Sequence, residues 1–233
     1  MTWRRCATFC RIMETISLNT HRKRAGASGA TEPEPTVFVL DDDEHVRDGV
    51  KALLDSVGLR SRILGSPDEF WREKIDSANC LILDVRMPGV SGLQFQEELA
   101  QAGIDVPVIF LSGHGDVPMA VKAMKAGAVE FLTKPFREQD LLDAVQKALE
   151  ADRRSRNSSE ESARRKARYA SLTERERHVM RLVLAGLLNK QIAHELKLSE
   201  VTAKVHRASM MRKLGVRKVA DLAKTASALG ITV

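Results

Sequence analysis

CLILDVRMPGVSGL, residues 80–93, is the stretch whose reading decides the fold. CLIL is apolar without alternation, the mark of a strand buried on both faces. The run stops on a carboxylate, Asp84, and Pro88 and Gly89 break the chain soon afterwards. Similar runs recur on either side: VFVL (37–40), SRILG (61–65), VPVIFLS (106–112) and VEFLT (129–133). Helical stretches separate them, among them EHVRDGVKALLDSVG and DVPMAVKAMKAGA, and EQDLLDAVQKALEA closes the series near residue 150. Strand alternating with helix five times predicts a parallel five-stranded sheet covered on both faces, a doubly wound α/β domain over 36–150.

The flanks read differently. Residues 14–35 show neither helical nor strand period and end in TEPEP, and residues 1–35 are expected to form a flexible leader. From 151 to 170 almost no residue is apolar, the composition of a linker or of an extension of the preceding helix. No strand pattern follows. SLTERERHVMRLVLAG opens with a capping box, Thr173 with Glu176 three residues on. NKQIAHELK, LSEVTAKVHRASMMRKLG and VADLAKTASALG supply three more helices, with Asn189 and Ser199 expected as N-caps. Residues 171–233 therefore form a small all-α four-helix domain.

A chain of 233 residues suits two compact units. No apolar run approaches the roughly 20 residues of a membrane helix. The three cysteines and six histidines show no metal-ligand spacing, and reduced thiols are expected. Charge is divided: residues 36–150 carry 12 basic and 20 acidic side chains, and 171–233 carry 12 and 5. An acidic body joined to a basic tail points to nucleic acid as the tail's partner.

In a doubly wound sheet, ligands gather at the carboxyl ends of the strands. The first strand delivers Asp41, Asp42 and Asp43, the third Asp84, the fourth Ser112, and the fifth is followed by Lys134 and Pro135. Crowded carboxylates call for a cation. Oxygen donors with waters suit Mg²⁺, which leaves positions open for phosphate oxygens. Asp84 can then accept a phosphoryl group, with Ser112 and Lys134 meeting the transferred oxygens.

DDDEHVRDGV, LDVRMPGVSGL and FLSGHGDVPMAVKAMKAGAVEFLTKPF resemble the receiver domain of two-component response regulators over residues 36 to about 150. The resemblance implies a flavodoxin-like sheet, Asp84 as phosphoacceptor and Asp42 as direct Mg²⁺ ligand. It also implies Asp41 assisting through water and the Arg86 backbone carbonyl completing the protein ligands. Ser112 and Phe131 match the family's switch pair, Lys134 matches its lysine, and Lys134-Pro135 is expected to be cis. Other readings stand beside these: Asp43 as a helix cap, Ser112 as a strand-end hydroxyl, Phe131 as a core ring and His114 as an exposed loop residue.

LTERE followed by AGLLNKQIAHELKLSEVTAKVHRASMMRKLGV resembles the LuxR-type helix-turn-helix domain. With the receiver it looks like a FixJ-type regulator of the NarL/FixJ class. After Ser199, an inward stripe of Ala203, His206, Met210 and Leu214 leaves Lys204, Val205, Arg207, Ala208 and Arg212 on the other side. Such a helix suits the major groove. By the family pattern Lys204, Val205 and Ala208 face bases and Arg207 supports backbone contact. The final helix resembles the family's dimerisation helix.

The combined expectation is a cytoplasmic transcription regulator, phosphorylated at Asp84 by a sensor histidine kinase. It dimerises through Val117, Ala120, Val121 and Met124 and binds promoter DNA, with RNA polymerase downstream. It is no enzyme beyond self-phosphorylation and autodephosphorylation. Two alternatives are a constitutive DNA-binding regulator and a haloacid-dehalogenase-type phosphatase. The latter usually has an acid two residues after its nucleophile, where this chain has Arg86.

Overall fold

The structure is a computed structural model that describes residues 34–73, 78–113 and 117–231. The leader expected over 1–35 therefore lies, except for its last two residues, outside the described residues, as does His114. The chain divides into two compact units between Arg153 and Arg154.

In the first unit, β1 (Thr36–Leu40), β2 (Arg60–Leu64), β3 (Ala78–Asp84), β4 (Val108–Ser112) and β5 (Glu130–Thr133) form one parallel sheet. Its order is β2-β1-β3-β4-β5. The chain winds one way from β1 to β2 and the other from β3 to β5, so the crevice between β1 and β3 is the topological switch point.

Period-two alternation sorts the side chains into two cores. On one face Phe38, Leu83 and Phe110 pack under α2 (Pro67–Arg72), α3 (Gly92–Gln101) and α4 (Val117–Lys125). There Phe70 meets Phe38 and Phe95 edge-on, with centroids 5.7 and 5.3 Å apart. Burying such a ring contributes roughly 2–3 kcal/mol. On the other face Val39, Ile82 and Leu111 pack under α1 (Glu44–Ser56) and α5 (Glu138–Ala170). Asp43 caps α1, its carboxylate accepting from the His45 amide at 2.9 Å.

Residues 151–170 are helical and continue α5, which runs for 33 residues. Their scarcity of apolar side chains suggested a linker, yet Ala, Arg and Glu are strong helix formers. Glu160 and Glu161 also pair with Arg164 and Arg165 one turn on, at 3.5 and 3.1 Å.

The second unit adds α6 (Glu174–Leu184), α7 (Asn189–Leu196), α8 (Glu200–Leu214) and α9 (Val219–Ala228). Val179, Met180, Ile192, Leu196, Ala203, Met210, Leu214 and Leu222 form its core. The capping box forms as expected: the Glu176 amide donates to Thr173 Oγ1 at 3.2 Å and the Thr173 amide donates to Glu176 Oε2 at 2.8 Å. Ser199 caps α8, accepting from the Thr202 amide at 3.1 Å. Asn189 does not cap α7. It is the helix's first residue, Leu188 is the cap, and Gln191 Oε1 accepts from the Leu188 amide at 2.7 Å. The Asn189 side chain is engaged elsewhere, its Oδ1 accepting from Arg207 Nη1 at 3.0 Å.

Candidate functional site

Alternation carries three chemical groups to the rim on the sheet face covered by α1 and α5. Asp41 follows Val37 and Val39, Asp84 follows Cys80 and Ile82, and Lys134 follows Leu132 two residues on. Asp41 and Asp84 are buried, and the Lys134 ammonium bridges them, 2.5 Å from Asp41 Oδ2 and 2.7 Å from Asp84 Oδ1. The remaining oxygens accept from backbone: Asp84 Oδ2 from the Arg86 amide at 2.6 Å, and Asp41 Oδ1 from the Asp43 amide at 3.0 Å. Lys134 is itself placed by its amide, which donates to the Ser112 carbonyl at 2.7 Å; its peptide bond to Pro135 is cis.

Burial pushes the Asp41 carboxyl above the ordinary carboxylate value, against hydrogen bonds from Lys134 and the Asp43 amide. Burial pulls the Lys134 ammonium down, but its hydrogen bonds to Asp41 and Asp84 outweigh this and raise it above an ordinary lysine. The lysine therefore stays charged between two acids.

Asp42, by contrast, is exposed, and its backbone carbonyl accepts from Arg47 Nη1. Arg86 meets the site through its amide. Ser112 and Phe131 lie on the opposite sheet face. Phe131 is half-buried against the core there, with its ring centroid 6.3 Å from that of Phe110. Among the described residues, no group of three or more His, Cys, Asp or Glu side chains is arranged as a metal cage. The donors still fit Mg²⁺: all are oxygens, each carboxylate oxygen has a second lone pair, and this ion needs few protein ligands.

On α4 the stripe expected from sequence is largely outside the core: Val117 is 75% exposed, Val121 and Met124 are exposed, and Ala123 is buried instead. On α8, Ala203, Met210 and Leu214 face the core and His206 is half-buried. Lys204, Val205, Ala208 and Arg212 are exposed. Arg207 is half-buried and braces α8 against α7 through Asn189.

Two arrangements escaped the sequence. Arg47 Nη1 donates at 2.8 Å to the carbonyls of both Asp41 and Asp42. Glu176, beyond its capping role, accepts from Ser209 Oγ at 2.7 Å and Lys213 Nζ at 2.6 Å on α8. The signal for the second was an acid inside an apolar helix face; for the first there was only an arginine at helical spacing.

Two family models match the chain: "Response regulator receiver domain" over residues 37–146 and "Bacterial regulatory proteins, luxR family" over 170–226. Nodulation protein W of Bradyrhizobium diazoefficiens is 47% identical over 210 residues, 89% of this chain and 92% of that protein. Transcriptional regulatory protein FixJ of Rhizobium meliloti is 39% identical over 196 residues, 84% of this chain and 96% of that protein. Among solved structures, response regulator StyR aligns with a TM-score of 0.77 at 45% identity, covering 84% of this chain and 99% of that one.

Proposed function

Because the chain belongs to the FixJ-like response regulators of two-component systems, which join a receiver to a LuxR-type DNA-binding domain and regulate transcription, we propose that Asp84 is its phosphoacceptor. The observation that carries this reading is the buried Asp84 carboxylate at the β1/β3 switch point, held by Lys134 and the Arg86 amide.

The donor is a phosphohistidine of a sensor histidine kinase. A carboxylate oxygen of Asp84 attacks phosphorus, an O–P bond forms, the N–P bond breaks, and the imidazole leaves with that electron pair. Lys134, already between Asp41 and Asp84, follows the negative charge onto the phosphoryl oxygens. Asp42, Asp84 and the Arg86 carbonyl would hold Mg²⁺, with Asp41 assisting through water, and the ion would supply the counter-charge the transfer needs. The Ser112 hydroxyl then moves to a phosphoryl oxygen and Phe131 turns into the space it leaves. Both lie on the face that carries α4, so the change reaches Val117, Val121 and Met124. That surface pairs with its copy in a second phosphorylated chain.

The dimer presents two α8 helices to promoter DNA. Lys204, Val205 and Ala208 face base edges, and Arg212 meets phosphate. Arg207 supports backbone contact while holding α7. The units divide as receiver 36–150, linker 151–170 and DNA-binding domain 171–233. Among the described residues no helix is long and apolar enough to cross a membrane, and we place the protein in the cytoplasm with RNA polymerase as a downstream partner. Phosphoryl transfer to itself and its hydrolysis are the only reactions assigned.

Intact mass and size-exclusion chromatography with Mg²⁺ and a small phosphodonor test this reading. One phosphate adduct with a shift toward dimer, both lost in Asp84→Asn, is expected. Dimerisation of Asp84→Asn equal to wild type would remove Asp84 as the trigger. Repeated turnover of a phosphate ester would favour the phosphatase reading instead.

A further inference from the structure

We infer that Arg47 is a positioning residue for the divalent-cation site, tying the backbone carbonyls of Asp41 and Asp42 together so that their carboxylates are presented at the rim. The inference rests on the reading of this rim as a Mg²⁺-dependent phosphoacceptor pocket and names a residue that the acid-serine-lysine pattern leaves out.

Asp41 and Asp42 occupy the turn between β1 and α1, where the strand ladder has ended and the helix has not begun. The Asp41 amide still reaches the Leu64 carbonyl at 3.3 Å, and Asp43 caps α1. The carbonyls of Asp41 and Asp42 are met from the helix side. The half-buried Arg47 reaches back over one turn, and its Nη1 nitrogen lies 2.8 Å from each. That nitrogen has two hydrogens, one for each carbonyl, so a single group fixes the relative orientation of two consecutive peptides.

The guanidinium also lies against the turn after β2. A Cβ built on Gly65 would lie 3.5 Å from Arg47 Nη1 and 3.8 Å from Glu69 Oε1. Glu69 in turn accepts from the Gly65 amide at 2.8 Å. The turn after β2 thus closes over the arginine, and α2 holds that turn.

Charge and position act in opposite directions here, which makes the inference decidable by sign. A guanidinium beside a cation site repels the cation, so removing it on charge grounds alone tightens divalent binding. Removing a group that orients the ligands loosens it, by about tenfold or more for the outer partners of metal ligands.

The test uses the full-length, unphosphorylated chain, with Mn²⁺ as the probe read by electron paramagnetic resonance of the free ion and Mg²⁺ as competitor. Arg47→Met is expected to weaken Mn²⁺ and Mg²⁺ about tenfold, with Arg47→Lys intermediate. Gly65→Leu keeps the positive charge but crowds the guanidinium off the carbonyls, and is expected to weaken binding in the same direction. It carries the test if Arg47→Met does not fold. Urea unfolding midpoints separate a lost orientation from a lost fold. Affinity in folded Arg47→Met equal to or tighter than wild type overturns the inference, as does wild-type affinity in Gly65→Leu. Asp42→Asn distinguishes this from failure of the pocket reading. If wild type binds neither ion, or Asp42→Asn binds as wild type does, the cation site and the inference fall together. If Asp42→Asn loses binding and Arg47→Met does not, only the role of Arg47 falls.

Discussion

At the scale of single residues, the two buried carboxylate clusters solve the same problem with different partners. Glu176 sits in the helical unit, and its burial alone would raise its pKa. Hydrogen bonds from Lys213, the Thr173 amide and Ser209 overcome that and lower it from 4.5 to about 2. A carboxylate whose folded pKa lies below its unfolded one stabilises the fold fully above the unfolded value. That contribution disappears as pH falls from about 4.5 toward about 2. The shift corresponds to about 3 kcal/mol at neutral pH. Glu176→Gln is therefore expected to lower the stability of the helical unit by about 2–3 kcal/mol at pH 7, with the gap to wild type narrowing by pH 3. Urea titrations at the two pH values measure it; a gap independent of pH would show that the carboxylate charge contributes nothing. In the receiver, Lys134 holds two acids rather than one acid holding a lysine. Lys134→Met leaves Asp41 and Asp84 buried without their cation, a loss of about 3 kcal/mol. Added Mg²⁺ is expected to recover part of that loss in a thermal melt, since a divalent ion bound only by the folded chain stabilises it.

At the scale of elements, β1, β3 and β4 were legible because burial on both faces leaves uninterrupted apolar runs, and the ends of every strand but β2 named rim residues. Strand boundaries moved by a residue or two, as at β2, which begins at the exposed Arg60, paired with Thr36 of β1, one residue before the apolar pattern starts. The linker was harder: stretches with few apolar residues look alike whether they are helix or coil, and only propensity and ion pairing separate them. Asn189 shows why side-chain roles resist sequence reading. Its residue type suits a cap, but Arg207, 18 residues later, claims its oxygen. Arg47 was missed for a related reason, since its partners are backbone carbonyls that carry no residue signature. The same distinction separates the arginines of α8. Arg212 is exposed, so Arg212→Ala is expected to reduce the salt dependence of DNA binding by about one unit of log–log slope. Arg207→Ala removes the brace to Asn189 and is expected to lower the stability of the helical unit by about 1 kcal/mol as well as affinity. Fluorescence anisotropy over a salt series, beside unfolding of each variant, tells the two apart. On α4, Val121→Glu places a charge within the exposed stripe. It is expected to abolish phosphorylation-dependent dimerisation while leaving the phosphate adduct unchanged, which mass and elution volume report on one sample.

At the scale of the whole molecule, an acidic unit with 20 acidic and 12 basic side chains (36–150) and a basic one with 12 basic and 5 acidic (171–233) share one chain. The chemistry occurs in the first unit and the DNA contacts belong to the second, so phosphorylation can raise DNA affinity in two ways. It can release a restraint on a single DNA-binding unit, or it can join two such units so that binding of the first raises the effective concentration of the second. The exposed apolar stripe on α4 favours the second, because it offers a surface for pairing that costs little to desolvate. The two routes differ on DNA carrying one half-site. Release of a restraint strengthens binding to one half-site and to two alike. Pairing strengthens binding only where both units engage, and avidity gains of 10²–10⁴ are available to it. Phosphorylated wild-type protein is therefore expected to bind a selected two-half-site duplex at least tenfold more tightly than unphosphorylated protein. On the single half-site the change should stay within about twofold, and Val121→Glu should show the small change on both. Equal enhancement on the two duplexes would assign the switch to release within one chain, and the α4 stripe would then have another role.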